Sequence, residues 1–133
     1  MAGTHKAASV YGVTNPQSSA DGVLRFGSVI GFKPRMEAVY RELHANAWDS
    51  VTTCLAKFHI RNYSIFITEL EGKKYLFSYF EYTGSDYEQD MRAVAADQET
   101  QRWWSETDPC QNPLPGRAPG ANWSAMERVF FMR

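Results

Sequence analysis

Two alternating runs, residues 60–68 and 73–82, are joined by the short polar link Glu71-Gly72. In the first run Tyr63, Ile65 and Ile67 share a face; in the second, Leu76, Phe80 and Tyr82 oppose Tyr75, Phe77 and Tyr79. Period-two runs this close, with a glycine in the link, can only turn back on each other as an antiparallel hairpin. A lone hairpin is barely stable in water, so the rest of the chain must extend this pair and cover one of its faces.

Two further runs alternate in the same way. Over 23–32, Leu24, Phe26, Ser28, Ile30 and Phe32 oppose Val23, Arg25, Gly27, Val29 and Gly31, and the two glycines leave room for something to approach. Over 123–132, Met126, Phe130 and Met132 oppose Ala125, Val129 and Phe131. Helical signals fill the gaps. Pro34 suits a first helical turn, and the helix it opens is predicted to run to Lys57 with a bend near Ala45 or Asn46, because Asn46 and Asp49 have N-cap spacing. Ser85 with Glu88 reads as a capping box that turns Tyr87, Met91 and Val94 inward, and Asp97 caps a helix over 98–107. The order is β-α-β-β-α-β, which predicts an α+β fold, the ferredoxin-like split-βαβ sandwich. Its uncovered sheet face would present Phe77, Tyr79 and Phe131, so two copies are expected to pack sheet on sheet as a dimeric α/β barrel.

The first helix carries the candidate chemistry. At about 100° per residue, Met36, Val39, Leu43, Ala47 and Val51 form an apolar stripe, and Tyr40, His44 and Trp48 follow one margin of it. A histidine on such a margin is partly desolvated yet reachable, and its pKa lies near neutrality. The plain alternative is a core-edge histidine between packing rings. Trp103 and Trp104 are adjacent on a helix, so at most one faces the core squarely and the other meets a cleft, a partner or solvent.

Net charge is −1, which gives no electrostatic footprint for nucleic acid or an anionic membrane. Aromatic residues make up 14% of the chain, and in a small neutral domain such rings either build an interface or stack on a flat-faced ligand. Cys54 and Cys110 are read as free thiols in a reducing compartment, and with no apolar segment near the start the chain is expected to be cytoplasmic. Residues 1–22 lack hydrophobic period and are read as a flexible extension to a domain over 23–133; 108–122, with four prolines, is read as a loop placed as a lid or rim. His59 is assigned to a helix-to-strand junction, His5 to the extension and Lys73-Lys74 to a solvated hairpin corner, while Arg25 is left between a ligand hydroxyl and Glu127.

Four ordered motifs then converge: Tyr40-x-x-x-His44-x-x-x-Trp48, Arg61-Asn62-Tyr63-Ser64-Ile65-Phe66, Gln101-Arg102-Trp103-Trp104 and Glu127-Arg128-Val129-Phe130. Together, over about residues 24–133, they resemble the L-rhamnose mutarotase family. The resemblance implies a cytosolic homodimer that interconverts the α and β anomers of a 6-deoxyhexose, L-rhamnose or L-fucose, with no metal or organic cofactor. It matches His44 to the proton-transfer histidine and Tyr40 to the tyrosine one turn before it; Tyr63, Trp103 and Trp104 match residues that line the sugar. Trp48 is expected to join them. The family has Asn-Pro after the histidine where this chain has Ala45-Asn46.

The chemistry agrees with the residues independently. Mutarotation needs one acid and one base near neutral pKa, and neither a nucleophile nor a metal. Two other readings use the same architecture: a cofactor-free monooxygenase or haem-binding domain, and a non-catalytic sugar-binding or interaction module. A glycosidase is disfavoured, since Glu37 and Glu42 lie on polar sides of the helix and Glu81 and Glu127 have no assignable partner carboxylate.

Overall fold

The structure is a computed structural model, and it describes residues 17–18 and 21–132, with side chains from residue 21 onward. In chain order the elements are β1 (Gln17–Ser18), β2 (Leu24–Phe32), α1 (Glu37–Ala45), α2 (Asp49–Lys57), β3 (Ile60–Leu70), β4 (Lys73–Tyr82), α3 (Tyr87–Ala96), α4 (Gln98–Thr107), β5 (Gln111–Asn112) and β6 (Ser124–Met126). Single 3-10 turns at Pro34–Met36 and Asp108–Cys110 precede α1 and follow α4. The class is α+β, as expected.

One antiparallel sheet carries all the strands, in the order β2-β4-β3 with β1, β5 and β6 sharing the other edge of β2. The hairpin turns where the sequence places it: Glu71 and Gly72 both take positive φ, 52° and 78°, the pair of left-handed residues that a two-residue hairpin turn requires. Alternation then sorts the sheet's two faces. Phe26, Ile30 and Phe32 of β2 and Leu76, Phe80 and Tyr82 of β4 are buried beneath the helices. They form two cores. Phe26, Ile60, Phe80 and Tyr82 pack with Cys54, Tyr87, Met91 and Val94, while Ile30, Phe32 and Leu76 pack with Tyr40, Cys110 and Trp123.

Strand β3 changes parity along its length. Ile60 faces the helices opposite Tyr82, yet Ile65 and Ile67 also face them opposite Ser78 and Leu76, which simple alternation forbids. The register shifts between Arg61 and Ser64, where Asn62 adopts φ 52° and adds one residue to the strand. Asparagine tolerates the left-handed region better than most side chains, and here it anchors the bulge by donating from Nδ2 to Glu81 at 2.9 Å. Tyr63 is thereby turned to the helix side, 5.3 Å from the Phe80 ring.

Several expectations need correction. The final strand is not 123–132 but three residues, Ser124–Met126. Continuing its register would bring Arg128 and Val129 opposite Arg25 and Leu24, and that stretch of the β2 edge is already paired with Gln17 and Ser18. What approaches the β2 glycines is this same chain: Met126 Cε lies 3.3 Å from where a Cβ on Gly27 would stand, and the Asn112 carbonyl oxygen 2.5 Å from one on Gly31. Arg25 pairs with Asp21 at 2.9 Å, not with Glu127, and lies over the Phe131 ring. Asp86, not Ser85, caps α3 by accepting from the Gln89 N–H, whereas Asp97 caps α4 through the Thr100 N–H as read from the sequence.

The long helix breaks at the expected place, but Asn46 ends α1 instead of starting α2. Its N–H and its side-chain Nδ2 both return to the Glu42 carbonyl, and extended Trp48 precedes α2. The inward face of α1 is also shifted from the expected stripe: Val39 is 48% exposed and Ala47 is exposed, whereas Tyr40 is buried at 6%. Of the stripe only its ends turn inward, Met36 against the core and Val51 buried, while between them Tyr40 of the aromatic margin is buried. Cys54 and Cys110 are buried free thiols, and His59 stands exposed at the α2–β3 junction. Among the described residues no helix is long and apolar enough to cross a membrane. Residues 1–16 and 19–20 of the expected extension, His5 included, lie outside those described.

Candidate active site

Between the two cores, under the helices, lies a cavity of about 750 Å³, well within the range of small-molecule sites. Helix α1 contributes Tyr40 and His44, bulged β3 contributes Tyr63, Ile65 and Ile67, and α4 contributes Trp103 and Trp104. The far end of the Pro-rich loop closes it with Gly120, Asn122 and Trp123. The loop is therefore part of the wall.

His44 is half-buried on this wall. Its Nδ1 lies 2.9 Å from the backbone carbonyl of Tyr40, one helical turn earlier. A carbonyl oxygen can only accept, so Nδ1 carries the hydrogen and Nε2 is left with its lone pair. Nε2 has no hydrogen-bond partner among the described residues. Burial lowers the His44 pKa below its ordinary 6.5, and the bond to the Tyr40 carbonyl opposes this only in part. The imidazole is thus neutral at pH 7, in the tautomer that presents a base.

Rings fix its orientation. The Tyr40 ring lies 4.1 Å away, centroid to centroid, and Trp103 meets the imidazole edge-on at 5.2 Å. Trp103 is buried and Trp104 half-buried, and both line the cavity, as divergent neighbours on a helix that borders a cleft should. Trp48 is placed differently from its expected role. Its position before α2, where the backbone is extended, takes the indole off the cavity wall; it braces Trp103 edge-on at 5.2 Å and carries the Arg102 guanidinium 4.5 Å above its own ring.

Both cavity tyrosines keep their protons. Burial raises the pKa of Tyr40 and of Tyr63 far above the ordinary value of 10, and the electrostatic influence of Tyr40 adds to the effect at Tyr63. The polar Gln111 side chain on the same wall offsets the effect of burial on Tyr40 only in part. Glu37, also on the wall, is committed elsewhere: Lys74 and Arg41 bind its carboxylate and hold its pKa below the usual range. Asp108, exposed at the cavity mouth, has its pKa raised by partial burial. Gln111, Asn122 and Trp123 were not singled out as site residues from the sequence, because the segment after α4 brings them to the wall without any periodic signal; Asp108, which caps α4 one turn after Trp104, was not singled out either. Among the described residues, no three His, Cys, Asp or Glu side chains gather as metal ligands.

A neutral base, two protonated phenols and two indoles around one hollow suit proton transfer on a small polar ring with an apolar face. Comparison with known proteins gives the same direction. An L-rhamnose mutarotase of Lactiplantibacillus plantarum is 27% identical over 97 residues, which is 73% of this chain and 88% of that protein. The crystal structure of an L-rhamnose mutarotase from Formosa agariphila superposes with a TM-score of 0.61 over 82% of this chain and 98% of that one; at 20% identity the likeness is one of fold. The family profile for L-rhamnose mutarotase matches residues 25–132, and the chain belongs to that family.

Proposed function

We propose that this protein is a cofactor-independent mutarotase that interconverts the α and β anomers of a 6-deoxyhexose, L-rhamnose or L-fucose. The observation that carries the reading is the Nδ1 bond from His44 to the Tyr40 carbonyl, which leaves Nε2 as a base beside open space.

In this account Nε2 takes the proton from the anomeric hydroxyl while the C1–O5 bond breaks, giving the aldehyde. The imidazolium returns that proton to O5, the oxygen freed from C1 as the ring opens, which completes the open-chain hydroxyl. Rotation about C1–C2 and the reverse steps close the ring on its other face. The protonated phenols of Tyr40 and Tyr63 hold the sugar oxygens in place, and Trp103 and Trp104 cover its C–H face. Trp48 acts through Trp103. Mutarotation proceeds slowly in water, so the enzyme's share is orientation plus one well-placed base.

The working unit is proposed to be a homodimer in which two ferredoxin-like halves pack their open sheet faces into an α/β barrel. Phe66 of β3, opposite Phe77, is 63% exposed on that face, and the chain after β6 adds Val129, Phe130 and Met132, each more than 75% exposed. Two buried free thiols agree with a cytoplasmic setting. The test is anomer exchange of freshly dissolved L-rhamnose and L-fucose, followed by saturation-transfer NMR. Acceleration over buffer supports the reading, and exchange at the buffer rate for both sugars refutes it.

A further inference from the structure

The cavity wall carries two carboxylates in opposite electrostatic situations. Glu37 is matched by Lys74 and Arg41. Asp108, at the end of α4, has neither an ion pair nor a side-chain hydrogen bond among the described residues, and the only cause acting on its pKa is partial burial. Ionised, it is an acceptor-only group with two oxygens to fill. Asp108 lines the same cavity as Tyr40, whose ring touches His44. The other wall-forming groups capable of bearing charge or titrating, Arg41, Tyr40, Tyr63 and His44, offer it no matching cation: Arg41 is held by Glu37.

A cavity-lining carboxylate without a protein donor can exchange its water for the O–H groups of a ligand, and a pyranose offers neighbouring hydroxyls to a carboxylate's two oxygens. We propose that Asp108 accepts hydrogen bonds from neighbouring ring hydroxyls of the sugar, away from the hemiacetal carbon at His44, and so sets which hydroxyl pattern the cavity admits. The proposal rests on the mutarotase reading above for the position of the hemiacetal. In this role Asp108 binds and selects; it takes no part in the proton transfer.

The experiment compares wild type, Asp108→Asn and Asp108→Glu. It measures KM and kcat for anomer exchange of L-rhamnose, and separately the Kd for L-rhamnose by NMR titration, with the monodeoxy analogues of the sugar as further ligands. Asp108→Asn is expected to weaken KM and Kd about 10- to 100-fold, the range for losing a hydrogen bond to a charged group, with kcat within about threefold of wild type. Asp108→Glu restores part of the affinity. One monodeoxy analogue binds wild type as weakly as L-rhamnose binds Asp108→Asn. Unchanged Kd in Asp108→Asn, or a loss confined to kcat, overturns the proposal. Sugar binding that depends on Asp108 but brings no exchange sinks the mutarotase reading and leaves this assignment standing; wild type that binds no sugar sinks both.

Discussion

Replacing each of the adjacent tryptophans by alanine separates two jobs that look identical in sequence. Trp103 is 8% exposed, wedged edge-on between the His44 imidazole and the Trp48 indole, whereas Trp104 is half-buried. Truncating a buried tryptophan costs about 3–5 kcal/mol. One side of the Trp103 indole already borders the open cavity, so water can enter the space and the lower end, about 3 kcal/mol, is expected. Trp104→Ala gives up less burial and should cost about 1–2 kcal/mol. For an m-value of roughly 1.5 kcal/mol/M, the Trp103→Ala urea midpoint falls by about 2 M and the Trp104→Ala midpoint by about 1 M. Urea unfolding followed by circular dichroism reads both. In native buffer Trp103→Ala also leaves the imidazole without its edge contact, and anomer exchange should slow by about tenfold or more. If Trp104→Ala is the more destabilising of the two, the assignment of Trp103 as the brace of the site is wrong.

The pH dependence follows from His44. Its folded pKa lies below 6.5, so kcat/KM should be flat above pH 6.5 and fall on the acid side toward tenfold per pH unit, with a midpoint below 6.5. Stability moves in the same direction: above 6.5 the His44 contribution is complete, and as pH falls from 6.5 toward the lower folded value the unfolded chain binds a proton that the native site resists, so the contribution is lost over that window. A midpoint above 6.5 would contradict the desolvated imidazole. Phe66→Glu should turn a dimer into a monomer in sedimentation velocity while leaving circular dichroism unchanged, because Phe66 is exposed on the open sheet face. A wild-type chain that sediments as a monomer would remove the dimer from the account.

The sequence carried those features that depend on short-range chemistry. Glu71-Gly72 announces a turn because the backbone there needs positive φ, and Asp97 announces a cap because its carboxylate reaches the Thr100 N–H at 2.9 Å. The grouping of Tyr40 and His44 on one helix side was equally readable. Features that depend on competition between distant segments were not. The stripe through Val39 looked like the buried face because periodicity measures apolar spacing, not which side the sheet occupies. Nothing local says that Asn62 carries an extra residue and turns Tyr63 inward; only pairing with β4 forces it. Likewise the last alternating run is a good strand whose β2 edge beyond Gly27 is taken by Gln17–Ser18, and Gln111 and Asn122 enter the site through a loop with no period to read.

The most direct test is His44→Ala, with anomer exchange of L-rhamnose measured by saturation transfer at pH 7.5 and unfolding followed in parallel to establish that the variant is folded. The account predicts that wild type accelerates exchange and that His44→Ala returns it to the rate in buffer. A folded His44→Ala protein that exchanges the anomers as fast as wild type would contradict it.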